Sequence, residues 1–119
     1  MKVLNRTRDS VLATDAAVAD TSPKRRIGLL KHTGLPAGQG LWIVPCEGIH
    51  TFGMQFPIDV IFLDRKRKVL KVRPHMGARR MSLCLLAHSV LELPAGTIAE
   101  ARTQRGDQLE FSGPAAGVP

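Results

Sequence analysis

The pattern of apolar and polar residues predicts short strands through the second half of the chain. In the segment FPIDVIFLD, alternate residues from Ile58 form one apolar face of a strand, and Asp59 is the polar residue on the other face. Because both faces are mostly apolar, this strand is expected to lie inside a sheet and to be covered on both sides. A polar turn, DRKRK, and a second alternating run, VLKVR, follow it. Residues 58–73 are therefore predicted to form a β-hairpin.

Other apolar runs predict further strands around one helix. LWIVP, HSVLELP and QLEF have the length and composition of strands, and residues 11–19 fit a strand pair or a strand followed by a turn. Ser22 and Pro23 are typical of a helix start, and this helix is predicted to end at His32, before Gly34. We expect five to seven strands in a mostly-β fold, a β-sandwich or barrel-like structure with one short helix packed on it.

The chain length of 119 residues fits one domain, spanning 1–119 with a flexible tail over 112–119. The formal net charge is +7, with basic clusters at residues 24–26, 65–68 and 79–80. Such a field attracts anions, so an anionic ligand is compatible with the sequence, although most of these charges are expected to be solvated surface groups. Four Phe, one Trp and no Tyr leave few rings for stacking on bases, which disfavours nucleic acid as a partner.

The sequence contains no apolar run of 18 or more residues, so no membrane span is expected. The N-terminus has no apolar run typical of a signal peptide. A cytoplasmic monomer is expected. The two cysteines, Cys46 and Cys84, have a spacing unlike zinc motifs, and their number alone leaves a single disulfide open. No metal and no cofactor are indicated.

A polar cluster before and within the predicted hairpin offers the first candidate site. His50 and Asp59 are a pair that could act as a general base and its orienter if they come within hydrogen-bonding distance. The alternative, which we favour, is that both side chains satisfy backbone groups of loops and strand ends. Trp42 is either a platform for a ligand or part of the core, and its apolar neighbours favour the core. The full candidate set is His50, Thr51, Met54, Asp59, Trp42 and Arg26.

The predicted helix adds a second question about charge. Arg25 or Arg26 could pair with an acid such as Asp59 or Glu92 and tie the helix to the sheet, or could hold an anionic ligand. Cys46, four residues before His50, could pair with it or form half of a soft-metal site. Pro45 and Gly48 indicate a loop there, and a buried, inert thiol is the favoured interpretation.

Four segments in order resemble the family known as domain of unknown function 192: IGLLKHTGLPAGQGLWI, PCEGIHTFGMQFPIDVIFLD, SVLELPAG and RGDQLEF. The resemblance covers about residues 22–111 and implies a compact mostly-β fold with one helix packed on it. It implies no known activity. The family often has an Arg where this chain has His32, so any role of that Arg is absent here. Many members carry a secretory or lipoprotein leader; none is expected here, which favours a cytoplasmic variant.

Three functions follow as hypotheses. The favoured one is an accessory module that binds a small ligand or a protein in a groove, because no complete catalytic constellation is evident. The alternative is a small enzyme that uses His50 and Asp59 in a cleft. The weakest is binding of nucleic acid or another polyanion through the basic clusters, which would depend strongly on salt.

Overall fold

The computed structural model describes residues 1–116, and that part of the chain is built mainly from short strands. Two brief helices interrupt them. The elements are β1 (Lys2–Asn5), β2 (Ser10–Ala13), β3 (Asp15–Ala19), α1 (Ser22–Ile27), β4 (Gln39–Ile43), β5 (Gly48–His50), β6 (Ile58–Leu63), β7 (Val69–Met76), β8 (Met81–Leu83), β9 (Ser89–Pro94), α2 (Thr97–Glu100) and β10 (Leu109–Ser112).

The strands form one large sheet and two small ones. The large sheet has the order β3-β4-β9-β6-β7, the three-stranded sheet has the order β10-β1-β2, and β5 pairs with β8 in a separate ribbon. Neighbours in the large sheet are antiparallel except β3 and β4, which are parallel. β9 is the central strand of the large sheet, with β4 and β6 on its two sides.

Each face of the large sheet packs on its own apolar core. One face carries Ile61, Leu91 and Leu93 and packs against β1, β2, β10 and α2. The opposite face carries Val60, Phe62 and Val90 and is covered by the segment after α1 and by the loops around β5 and β8. We call these the sandwich face and the helix face. The mostly-β fold and the buried strand at 58–63 are therefore confirmed, because every residue of β6 is buried.

The first helix is shorter than the pattern of apolar residues predicts. α1 ends at Ile27. Gly28 follows it with φ 49°, a backbone conformation that does not continue the helix. Thr21, rather than Ser22, is the N-cap, because its side chain accepts a hydrogen bond from the Lys24 amide. The predicted end at His32 is therefore wrong by about one turn, and residues 29–31 continue as a turn.

Several elements have no clear signal in the sequence. β1 pairs with β2 and β10 and closes the sandwich, although its four residues carry only a short apolar pattern. β5 falls where a loop was predicted, β8 falls where no strand was predicted, and α2 is a second helix of one turn. Within the tail that was expected to be flexible, Ser112 ends β10 and the Ala116 amide bonds to the Ala16 carbonyl. Residues 117–119 lie outside the described part.

A buried polar cluster ties the last turn of the chain to the first strand. Asp107 Oδ2 accepts hydrogen bonds from the Asn5 side chain at 3.0 Å, from Arg8 Nε at 3.1 Å and from the Gln104 amide at 2.9 Å. Burial opposes ionisation of Asp107, but these donors outweigh it and lower the pKa of the carboxyl group. The cluster thus favours the charged form and fixes the turn before β10.

Replacing Asp107 by Asn is expected to lower the free energy of unfolding at neutral pH by about 2 kcal/mol, because one good acceptor becomes a donor. In the native state this carboxyl group stays ionised at pH values below its ordinary pKa. Its stabilisation is therefore complete above that ordinary value and is lost as the pH falls through the lowered one. Urea denaturation of both proteins at several pH values checks this, and a difference that does not shrink in acid would contradict it.

No helix within residues 1–116 is long and apolar enough to cross a membrane.

Candidate functional site

A cavity of about 590 Å³ lies on the helix face of the large sheet, beneath α1 and beside β5. Small-molecule sites in proteins typically enclose about 300–1,000 Å³. Apolar side chains form much of its wall, and six polar or ionisable side chains also line it. The lining residues that matter below are Arg25, Arg26, Cys46, His50, Met54 and Glu92.

The floor of the cavity carries a buried carboxyl group, Glu92 of β9. Its strand neighbours are Leu41 of β4 and Val60 of β6, and the residue is only 6% exposed. Among residues 1–116, no hydrogen bond or ion pair involves this side chain. Desolvation raises the pKa of Glu92 from 4.5 to about 7. Near neutral pH the group can therefore donate or accept a hydrogen bond according to its protonation state.

Gly28 allows the end of α1 to approach this carboxyl group. Its φ of 49° with ψ of −122° is a backbone conformation that residues with a Cβ rarely adopt. A Cβ at this position would lie 3.7 Å from Glu92 Oε1. The sharp end of α1 therefore brings the helix over β9 and shields Glu92 from solvent, which is the physical cause of its raised pKa.

The mouth of the cavity is positively charged. Arg25 is half-buried and donates to the Asp20 carbonyl and the Ser22 hydroxyl, while Arg26 donates through Nε to the Ser22 carbonyl. Neither guanidinium forms an ion pair with an acid of the described chain. Of the two interpretations considered for these residues, a helix-to-sheet salt bridge is absent from residues 1–116. Charged N–H groups are left available for a ligand.

Cys46 and His50 complete the polar lining on the side of β5. The Cys46 thiol donates to the Gly48 carbonyl at 3.1 Å. Burial raises the pKa of this thiol above its ordinary value, and the nearby Glu92 acts in the same direction. The thiol form is thus favoured, which does not suit an activated nucleophile. The exposed ring of His50 packs against Phe52 with 5.6 Å between the ring centres.

The structure brings three of the six predicted residues together at this cavity, namely Arg26, His50 and Met54. Thr51 is adjacent in sequence but has a different role. Its buried hydroxyl donates to the Gly77 carbonyl at 2.6 Å and accepts from the Arg80 amide at 2.8 Å. Thr51 therefore fixes the loop that leads into β8.

Asp59 lies on the sandwich face, away from the cavity. Its carboxylate accepts hydrogen bonds from the His75 amide at 2.9 Å, the Gly96 amide at 3.2 Å and the Ile98 amide at 2.8 Å. His50 lines the cavity on the opposite side of the sheet. The structure therefore does not form the His50–Asp59 pair that the enzyme hypothesis requires, and Asp59 organises the start of α2.

Trp42 is also on the sandwich face. Its ring packs against Phe111 with centres 4.7 Å apart, and the Arg67 guanidinium lies 5.1 Å from the Trp42 ring centre. These contacts close one end of the sandwich core. The ring is therefore not a platform for a ligand in the cavity.

Glu92 was considered only as a partner for an arginine, and its role in the cavity was not predicted. The signal was present in VLELP. An acidic residue stands in a run whose remaining members are apolar on both faces, and such a strand is covered on both sides. A buried charge without a partner is costly, so an acid in this position is a candidate for a functional site.

Within the described residues, no three or more His, Cys, Asp or Glu side chains are grouped closely enough to hold a metal ion. Cys46 and Cys84 are both free thiols.

The architecture defines a class of small β-sandwich domains in which a short helix covers part of the larger sheet. The family model described as "Uncharacterized ACR" matches residues 3–111. The chain belongs to this family, domain of unknown function 192, and the match starts closer to the N-terminus than the segments noted in the sequence.

A curated relative agrees with this assignment, and two solved structures share the fold. A UPF0127 protein of Thermococcus sibiricus is 30% identical over 114 residues, which cover 92% of this chain and 73% of the relative. A protein of unknown function from Novosphingobium aromaticivorans has a TM-score of 0.78 at 20% identity, covering 92% of this chain and 82% of that one. A candidate transcription regulator from Sinorhizobium meliloti has a TM-score of 0.79 at 17% identity, covering 92% and 89%. At these identities the two structures show the fold alone.

Proposed function

We propose that this protein is a small-molecule-binding module whose ligand occupies the cavity beneath α1 and carries an anionic group. The observation that carries the proposal is the pair of guanidinium groups, Arg25 and Arg26, at the mouth of a partly apolar cavity. Guanidinium groups bind carboxylates and phosphates through charge-assisted hydrogen bonds, and these two have no acidic partner within residues 1–116.

The apolar wall supports a ligand with a hydrocarbon body. Ile43, Ile49 and Met54 contribute to the lining, and Met54 adapts easily to ligands of different shape because its side chain is unbranched. A small organic acid with a short apolar chain combines both features. Inorganic anions lack the apolar part and leave this wall without a contact.

The proposal also includes the location of the protein, its oligomeric state and the kind of anion it binds. Both thiols are free, which supports a cytoplasmic protein, where cysteines stay reduced. The cavity is complete within one chain, which supports a monomer. Basic clusters lie apart on α1, on the β6–β7 turn and before β8, a distribution that suits small anions better than nucleic acid.

Titrations with hexanoate and with hexanol test the proposal. We expect hexanoate to shift the backbone amide resonances of residues that line the cavity, above all Gly28 and Ile49, while hexanol causes weaker shifts. Arg26→Gln is expected to weaken hexanoate binding by about three- to tenfold, because one charge-assisted contact is lost. Two-dimensional ¹H–¹⁵N NMR spectra report both location and affinity.

Arg105→Gln is the matched control, because it removes the same charge from an exposed turn that does not line the cavity. It should leave hexanoate binding unchanged. Shifts that scatter over the basic clusters, or equal losses in the two variants, would show non-specific attraction and would contradict the proposal.

A further inference from the structure

The proposed function leaves one feature of the cavity unexplained, since an anionic ligand has no need of a buried acid. Glu92 lies on the floor of the cavity and is only 6% exposed. It accepts no hydrogen bond from residues 1–116. Proteins rarely bury a carboxyl group without a partner, because desolvation of the charged form is costly.

The surroundings of Glu92 give it no partner of opposite charge. Leu41 and Val60 lie beside it on the neighbouring strands. From α1, Arg25 and Arg26 line the same cavity but lie beyond ion-pair distance, and from the β5 side Cys46 and His50 line it. A donor that would satisfy the carboxyl group is therefore missing from the described chain, although its carboxyl end is open to the cavity.

We propose that the ligand is amphoteric, with an anionic group at Arg25 and Arg26 and a cationic, hydrogen-bond-donating amine at Glu92. This inference rests on the proposed function and adds the second polar group of the ligand. An ammonium group would neutralise the buried carboxylate and supply the missing donors at once. The opposite charges at the mouth and floor would also set the orientation of the ligand, since the reverse orientation places like charges together.

Comparison of hexanoate with 6-aminohexanoate tests the inference, because these probes differ only in the amine. Both bind the protein through a carboxylate if the proposed function is right. Without a partner at the floor, burial of the ammonium group is unfavourable, and 6-aminohexanoate should then bind more weakly than hexanoate. With Glu92 as partner, we expect it to bind about tenfold more tightly at about pH 8.5, where the carboxyl group is ionised.

Glu92→Gln should remove this preference, because the amide carries no charge to neutralise the ammonium group. Glu47→Gln, the same change at an exposed position, should retain the preference. At about pH 5.5, where Glu92 is protonated and the amine stays charged, the preference should also shrink. The hexanoate titration at each pH corrects for pH effects that do not involve the amine.

The possible outcomes separate the two proposals. Equal or weaker binding of 6-aminohexanoate by the original protein overturns the inference, and so does a preference that survives in Glu92→Gln. In both cases the hexanoate shifts still support the proposed function. If neither probe shifts the resonances of the cavity, both proposals fail.

Discussion

Replacing Glu92 by Gln is expected to stabilise the protein by roughly 3 kcal/mol above pH 8, while at about pH 4.5 the two proteins should be nearly equal. The folded state raises the pKa of this carboxyl from 4.5 to about 7, so it holds the proton more tightly than the unfolded chain does. Between these values the native protein binds more protons, and the free energy of unfolding therefore falls as the pH rises. Above both pKa values the carboxyl group is ionised in the folded and the unfolded state, and the folded protein bears the full cost of the buried charge. The uncharged side chain of the Gln variant avoids this cost.

Urea denaturation at several pH values measures this difference directly. Glu47→Gln is the control for the loss of one negative charge, because that side chain is exposed. A gain in stability that is the same at every pH would show that burial of the charge is not its cause. A loss of stability in alkaline buffer would show that Glu92 has a stabilising partner. Natural sequences that retain such a costly group usually do so for function, so this result bears on the site as well as on the fold.

Replacing Asp59 by Ala is expected to destabilise the protein by about 3–5 kcal/mol, because one buried and two partly buried backbone amides lose a charged acceptor. The two carboxylate oxygens share these donors: Oδ1 accepts from His75, and Oδ2 accepts from Gly96 and Ile98. Asp59→Asn should also cost stability, since its amide nitrogen would face one of these donors. Urea denaturation checks both variants.

Asp64 provides a matched control for Asp59. Its carboxylate accepts from the Lys66 and Lys68 amides, both at 2.9 Å, in a turn that is open to solvent. Water can replace an acceptor there, so Asp64→Asn should cost about 1 kcal/mol or less. Similar losses at Asp59 and Asp64 would contradict the structural role of Asp59. The folded Asp59→Asn variant should bind hexanoate as the original protein does. Weaker binding would indicate that Asp59 contributes to the binding site.

Much of the fold could be predicted from the sequence because its strands have strong local patterns. FPIDVIFLD is apolar on both faces, and the structure buries all of β6. The DRKRK turn and the strands at VLKVR and QLEF are also found. β5 and β8 have three residues each and pair with one another outside the large sheet, so their pairing depends on the loops that bring them together. Local patterns carry no information of that kind.

The candidate site was harder to predict because separate segments build it. Arg26 comes from α1, His50 from the end of β5, Met54 from the following loop and Glu92 from β9. Proximity in sequence left a His50–Asp59 pair open as the less favoured interpretation, and the structure places the two residues on opposite sides of the large sheet. The alternation within β6 had already placed Asp59 with Ile61 on one face. The position of His50 relative to that face depended on the loop between them.

The most direct test is a crystal structure of the protein with 6-aminohexanoate. We expect the ligand in the cavity beneath α1, with its carboxylate within hydrogen-bonding distance of Arg25 or Arg26 and its ammonium group bonded to Glu92. A ligand bound outside the cavity, or a cavity that contains only water when the probe saturates the protein in solution, would contradict the assignment of this cavity as the binding site.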